Sequence, residues 1–305
     1  MIKAYFLLIA FSLSSYLCNA QNMDSLMRDM ASEQDTGGIS SSFKSTRLIL
    51  SQTTTMIKKY DLDFKVIHRF GDIGGTDGSS KTLYGFDNSS DIYIGFEYGM
   101  SDRFNISFGR SKYEQLLDLQ LKYALLQQKD KGGSPLSLSA LVKTGFTPYK
   151  VNTTVFEDYG NRFSHFVQVI ISRKFSTDFS LQISPGLLFR NVVLAADDER
   201  TMFSTGIAGR YKFTKRFGIV ADYYLINSDY RKDNPNTSYY NPLGLGVEIE
   251  TGGHIFTMNF ANAKAIAENN FLPNSTSSWT KGQYRFGFTI SRMFTLYKAK
   301  PETLN

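Results

Sequence analysis

Apolar and polar residues alternate one for one in stretch after stretch of this chain, from Asp61 to Phe294, and no apolar run is long enough to cross a membrane as a helix. Period two sends successive side chains to opposite faces of a strand, so such a chain is confined to sheets with one apolar and one polar face. About twelve stretches are legible, at roughly 61–70, 91–100, 103–111, 115–126, 135–145, 162–174, 178–190, 202–213, 216–227, 241–250, 253–262 and 282–294. Most reach the ~9–11 residues that a tilted strand needs to cross a bilayer, whereas soluble strands average about 5–6.

The charges indicate which kind of two-faced sheet this is. A Lys or Arg facing lipid near mid-bilayer costs ~2–4 kcal/mol, so charges in a membrane wall must share a phase opposite the apolar stripe. In the first stretch Leu62, Phe64, Val66 and Phe70 form one face, and Asp63, Lys65 and Arg69 the other. Ile92, Ile94, Phe96 and Tyr98 oppose Gly95, Glu97 and Gly99, while Leu117, Leu119, Leu121 and Tyr123 oppose Asp118, Gln120 and Lys122. Lys143, Arg210, Lys212, Asp222, Glu248 and Arg285 continue the polar phase in later stretches. The expected fold is all-β: an antiparallel up-and-down transmembrane β-barrel of about twelve strands over residues 61–297, with these twelve charges lining its lumen. A soluble antiparallel sandwich alternates too, but the long stripes rich in Phe, Leu and Ile argue against it. Composition agrees, with 14% aromatic residues and 25 Phe and 18 Tyr beside a single Trp.

Connection lengths alternate as an outer-membrane barrel requires, short turns on one side and longer loops on the other. Short connections fall at 100–102, 175–177, 214–215 and 251–252, with a longer one at 129–134. The long ones are 71–90, 147–161, 191–201, 228–240 and 263–281, plus a shorter one near Lys112. Three of the short turns share a pattern, GMSDRF (99–104), KFSTDF (174–179) and KFTKRF (212–217), in which a hydroxyl is placed to bond its own turn backbone. The glycines of Leu243-Gly244-Leu245-Gly246 lie inside a strand pattern and read as relief of lumen crowding or strand curvature rather than a phosphate loop.

Ahead of the barrel, Lys3, the apolar run 4–17 and the small-x-small triplet Cys18-Asn19-Ala20 read as a cleaved export signal over residues 1–20. Cys18 is the only cysteine, so the mature chain has no thiol for disulfides, thiolate metal sites or cysteine nucleophiles. Residues 21–60 form a separate segment, with Leu26, Met27 and Met30 at helical spacing and a hydroxyl-rich stretch at 40–55. Two readings of it stay open: a plug or periplasmic arm that enters or covers the barrel, and a flexible leader. Residues 298–305 are read as a C-terminal tail.

The segments FKSTRLI (43–49), LDFKVIHRFGDIGG (62–75) and YGFDNSSDIYIGFEYGMSDRFNISFGRSKYEQLLDLQLKYALLQQ (84–128) resemble a membrane-bound β-barrel domain family of Gram-negative bacteria, a domain of unknown function. The resemblance runs from about Phe43 to Tyr297 and is strongest in the first third. It implies an outer-membrane barrel and no assigned substrate or catalytic residue.

Chemistry-bearing constellations are few. His68, His165 and His254 are scattered along the apolar phase, and Ser164 beside His165 points to the opposite face, so neither a hydrolytic site nor a metal site is expected. Asp72, Asp77 and Asp87 fit no calcium loop and read as solvated, as does the acidic run Asp197-Asp198-Glu199. The net charge of +6 is interspersed and shows no nucleic-acid cluster. No catalytic residue, metal or cofactor is expected. The lumen is the working part: seven of its charges are basic and five acidic, fit either to line a narrow path or to pair and fill it. The expected role is a narrow, passive or gated channel for small hydrophilic or amphipathic solutes in a Gram-negative outer membrane, surrounded by lipid and lipopolysaccharide. The alternative is a non-conducting barrel that binds a protein or glycan through external loops, where Tyr230, Tyr239, Tyr240, Asn234 and Asn236 suit such contacts.

Overall fold

The computed structural model describes residues 38–130, 133–148 and 156–297; the export segment, the 23–33 stretch and the 298–305 tail lie outside them. Twelve strands follow in order: β1 (Asp61–Phe70), β2 (Ser89–Ser101), β3 (Phe104–Ser111), β4 (Leu117–Leu126), β5 (Ser137–Phe146), β6 (Phe163–Lys174), β7 (Phe179–Arg190), β8 (Thr201–Lys212), β9 (Phe217–Asn227), β10 (Leu243–Thr251), β11 (His254–Ala261) and β12 (Arg285–Thr295). Each pairs antiparallel with its sequence neighbour, and β12 closes on β1, where Leu62 faces Phe294 and Arg69 faces Gly287. The barrel expected from the alternation is therefore present, strand for strand. Some ends move by two or three residues. β12 starts at Arg285 rather than 282 because the preceding backbone pairs with the first long loop, Gly74 N–H to Gly282 O and Ile73 N–H to Tyr284 O.

The hydroxyl turns work as their pattern suggests. Ser176 Oγ accepts from the Phe179 and Asp178 N–H at 3.1 and 3.2 Å, and Thr214 Oγ1 accepts from the Phe217 and Arg216 N–H at 3.0 and 3.2 Å. Each turn then closes through a Phe pair, Phe175 to Phe179 and Phe213 to Phe217, with ring centroids 5.9 and 6.2 Å apart. Pro185 sits inside β7, where its missing N–H leaves a gap: the β6–β7 register skips from Gln168↔Gly186 to Ile171↔Ile183.

The two faces are turned inside out relative to a soluble sandwich. Ile94, Phe108, Leu121, Ile183, Ile219 and Leu245 are exposed on the outside, while Lys65, Glu97, Lys122 and Lys143 are buried on the inside. Such exposed apolar side chains recur on strand after strand around the outside, whereas a water-soluble monomer rarely exposes contiguous apolar patches larger than a few hundred Å². Against hydrocarbon the same belt is the favourable arrangement, and the closed ladder leaves no unpaired strand edge. Among the described residues no helix is long and apolar enough to cross a membrane.

One inward position shows how tightly the wall is fitted. Gly95 and Gly109 face each other across β2 and β3, and the Tyr93 ring lies over both. A Cβ on Gly109 would lie 2.0 Å from Tyr93 Oη, which donates to Asp118 Oδ1 at 3.1 Å. Gly109→Ala is expected to displace the ring, break that hydrogen bond and cost about 1–3 kcal/mol. The readout is the midpoint of the heat-induced shift in gel mobility. In a Tyr93→Leu background the penalty should shrink, and an equal penalty in both backgrounds would refute the contact as its cause.

Candidate functional site

The interior of the barrel is occupied. Residues 38–57 enter from the short-turn end, where Ser40 N–H bonds Gln128 O and Tyr60 N–H bonds Gly99 O, at 2.7 and 2.9 Å. The arm then rises into a tight hairpin, with Arg47 bridging Gln52 and Leu48 N–H bonding Ser51 O at 2.9 Å. From the opposite end the long connection 262–284 folds inward, and Ala263, Ala265–Leu272, Ser275, Ser277 and Ser278 are all buried. Residues 39–57 thus lie within the ring of strands.

The barrel has a core in its lumen because β5 to β9 present apolar residues in their inward phase. Leu141, Phe166, Ile170, Leu188, Met202, Val220 and Tyr224 pack against Phe43, Leu48, Ile49 and Leu50 of the arm and Phe271 and Leu272 of the loop. Gly244 makes room for the hairpin tip, since a Cβ there would lie 2.7 Å from Ile49 Cγ2. The crowding at Gly244 is thus contact with the arm, whereas Gly246 is crowded by Met258 and Asn259 of the neighbouring β11.

The remainder of the lumen is polar, and its charges divide between holding the two inserts and pairing within the wall. Eleven of the twelve inward charges are buried and Lys212 is half-buried. Glu97 accepts from Lys65 at 3.0 Å and Asn105 at 2.8 Å, pairs with Lys122 at 3.0 Å, and accepts from Thr46 of the arm at 2.6 Å. Lys65 also pairs with Asp63 at 2.6 Å and contacts Thr46, while Lys122 donates to Thr55 O at 2.9 Å. Asp222 accepts from the hairpin-tip N–H groups of Ile49, Leu50 and Ser51, at 2.8, 3.2 and 3.3 Å. On the loop side Arg69 donates to Ala263 O and Ala265 O, and Arg285 donates to Asn262 O and Ser277 Oγ while pairing with Asp72. Asp118 takes the Tyr93 hydroxyl. Arg210, Lys212 and Glu248 pair within the wall through Glu250 and one another, and Asp63, Lys65, Glu97 and Lys122 also pair within it.

One carboxylate joins arm to loop to wall. Glu268, fully buried in a short helical turn Glu268–Phe271, pairs with Arg47 of the arm at 3.3 Å and with Lys143 of β5. Arg47 in turn donates to Leu50 O and Ile266 O, at 3.0 and 2.5 Å, and Ile266 N–H donates to Asp91 at 2.8 Å. Arg47, Asp91, Glu250 and Glu268 are absent from the twelve expected lumen residues. Asp91 and Glu250 lie in the polar phase of their strands, so their signal was present; Glu268 lies in a loop and had none.

Two readings of the loop carboxylates are corrected. Asp72 is buried against Arg285 rather than solvated. Asp198 is clasped between Arg190 and Arg231, both at 2.9 Å, and Arg231 continues to Pro273 O at 3.0 Å, tying three long loops together. Partial burial opposes ionisation of Asp198, yet the hydrogen bonds from Arg190 and Arg231 hold its carboxyl below the ordinary range. A lowered folded-state value means that the clasp is intact above the usual aspartate value of ~3.9 and is lost as pH falls through the folded one. Hydrogen exchange in residues 191–200 and 228–242 is therefore expected to be flat from pH 8 to about 5, once corrected for intrinsic rates, and to rise below ~4. Asp198→Asn should show the loosened pattern at every pH.

The three histidines sit apart on the outer face: His68 stacks on Phe288, His165 bonds Thr144, and His254 lies against Phe256. Ser164 faces inward and accepts from Asn269 at 2.8 Å. No group of metal-ligating side chains occurs among the described residues.

A closed barrel with an apolar outer belt and a polar, charge-paired interior defines an integral membrane β-barrel. The chain belongs to the family described as membrane bound beta barrel domain (DUF5777), whose model matches residues 43–294. No curated protein sequence matches it. Among solved structures it is similar to the NanC porin, at 11% identity over 78% of this chain and 100% of that one, with a TM-score of 0.46. It is also similar to the KdgM porin (8% identity, 77% and 99% covered, TM-score 0.44). An outer membrane channel from Pseudomonas putida F1 matches at 13% identity, with 79% and 98% covered and a TM-score of 0.45.

Proposed function

We propose that the protein is a gated outer-membrane channel for small hydrophilic solutes that performs no covalent chemistry, closed in this state by its own arm and inward loop. The observation that carries this reading is the nature of the obstruction. Wall side chains alone fill the smallest barrels, whereas here two chain segments do so. Their polar anchors, Glu97, Asp222, Glu268, Arg69 and Arg285, are contacts that water can replace. The short turns and the arm would then face the periplasm, and the long loops the exterior.

Purified protein in a planar bilayer tests it. The intact chain is expected to give rare or small conductance steps, and a chain lacking residues 38–57 larger and more frequent ones. If the truncated barrel inserts and remains silent, the channel reading fails. A non-conducting barrel that presents its loops to a partner is the reading favoured by that result, and the clasp around Asp198 gives it a rigid surface.

A further inference from the structure

A second site lies outside the occluded lumen. Above the inward loop a cavity of about 270 Å³ opens between five connecting segments, lined by Glu114, Arg162, Arg190, Tyr230, Tyr239 and Asn269 among others. Its volume is near the lower end of the ~300–1,000 Å³ usual for small-molecule pockets.

Arg162 is the unusual member. It is 5% exposed, its Nε donates to Phe156 O at 2.8 Å, its Nη1 reaches Pro148 O at 3.4 Å, and its Nη2 has no hydrogen-bond partner among the described residues. No salt bridge joins it to a carboxylate among the described residues, so among them its charge has no counter-ion. Removing a guanidinium from water is costly; the Tyr159 ring, with its centroid 4.7 Å away, and two backbone carbonyls offset part of that cost, and a bound anion would supply the opposite charge. Arg190 adds to the same wall: Asp198 takes its Nη2, and its Nε has no partner.

The rest of the lining has a different character. Asn269 spends its amide N–H on Ser164 and leaves Oδ1 unpartnered, and Glu114 brings a carboxylate held at φ 53°. Both are acceptors suited to ligand hydroxyls, and Asp198, which also lines the cavity, is already spent on Arg190 and Arg231. Tyr230 and Tyr239, with ring centroids 6.2 Å apart, offer flat surface beside Arg231, which stacks over both.

We infer that this vestibule binds a hydroxylated organic anion of about monosaccharide size, its carboxylate or phosphate on Arg162 and Arg190 and its hydroxyls on Glu114 and Asn269. The inference deepens the channel reading by naming its solute class, but binding is measured without conductance. A silent barrel that binds the anion would keep the site and lose the channel.

Titration calorimetry of the detergent-purified full chain with glucuronate, inorganic phosphate and neutral glucose tests the assignment. Glucuronate is expected to bind at least tenfold more tightly than glucose, with phosphate competing. Arg162→Gln keeps polar donors and removes the charge. It should abolish most of that preference, while an unchanged gel-mobility shift reports an intact barrel. Because Arg162 also braces its loop, Arg190→Gln and Glu114→Gln are measured beside it; the first should weaken anion binding and the second should weaken glucuronate but not phosphate. Equal binding of glucuronate and glucose, or full affinity in a folded Arg162→Gln protein, overturns the site. So does binding confined to lipopolysaccharide-containing nanodiscs with none of the free anions, which would assign the arginines to lipid phosphate instead of a solute.

Discussion

Replacing Glu268 with alanine is expected to release the arm and the inward loop together. The substitution strips Arg47 and Lys143 of the carboxylate they share and leaves two buried cations facing each other. Removing one partner of a buried ion pair costs about 3–5 kcal/mol, most of it the penalty of the charge left behind. The barrel wall is not where this is felt, because every strand keeps its ladder. The cost falls on docking of the two inserts, so the protein should still insert and shift on heating. Protease sensitivity in residues 38–57 and 262–284 should rise together, and bilayer openings should become roughly a hundredfold or more frequent, as about 3 kcal/mol implies at 1.4 kcal/mol per decade. Glu268→Gln keeps hydrogen bonds and loses the charge, so its effect should be intermediate. A Glu268→Leu, Lys143→Leu, Arg47→Leu triple variant should dock better than the single alanine, since apolar replacement of a whole buried ionic cluster is often neutral. If only the loop loosens in Glu268→Ala and the arm stays protected, the joint role assigned to this residue is wrong.

The wall was legible in the sequence because its physics is local. A single phase choice from Leu62, Phe64 and Val66 places Asp63, Lys65 and Arg69 inside, and the hydroxyl turns at Ser176 and Thr214 mark where strands reverse. The contents of the barrel were less legible, for two reasons. Phe166, Ile170, Leu188 and Tyr224 are apolar residues in the inward phase, where alternation alone offers no partner for them, and their partners lie over 100 residues away in Phe43 to Leu50. The loop around Glu268 carries no period at all. Its one hint is composition: Ala263, Ala265, Ile266 and Ala267 are small or apolar in a connection that ought to be polar if it met only water. A long loop with an apolar stretch has to cover something. Many of the wall charges are likewise better understood as one half of a set of contacts whose other half, the Thr46 hydroxyl, the Thr55 carbonyl and the hairpin-tip amides, is backbone or hydroxyl that no charge count reveals.

Asp222→Ala is the second substitution with a large expected effect, and it separates the arm from the loop. Asp222 lies mid-strand in β9, 1% exposed, and its carboxylate accepts three successive backbone N–H groups from the hairpin tip. Successive amides converging on one anion form a nest, here built by the arm and filled by the wall. Alanine leaves those amides buried against Gly244, Leu48 and neighbouring apolar side chains with no acceptor, at about 1–3 kcal/mol for each group that finds no replacement. A loss of about 3 kcal/mol in arm docking raises its undocked population roughly a hundredfold. Amide exchange at Ile49, Leu50 and Ser51 should accelerate by that factor, while the loop amide of Ile266, held by Asp91, keeps its protection. Asp222→Asn retains one acceptor oxygen and should fall between. The wall itself predicts a contrast: with the arm undocked and the loop in place, Asp222→Ala should conduct less than Glu268→Ala, because only one of the two inserts has left the lumen. Equal conductance in the two variants would mean that the arm alone closes the barrel and that the loop follows it.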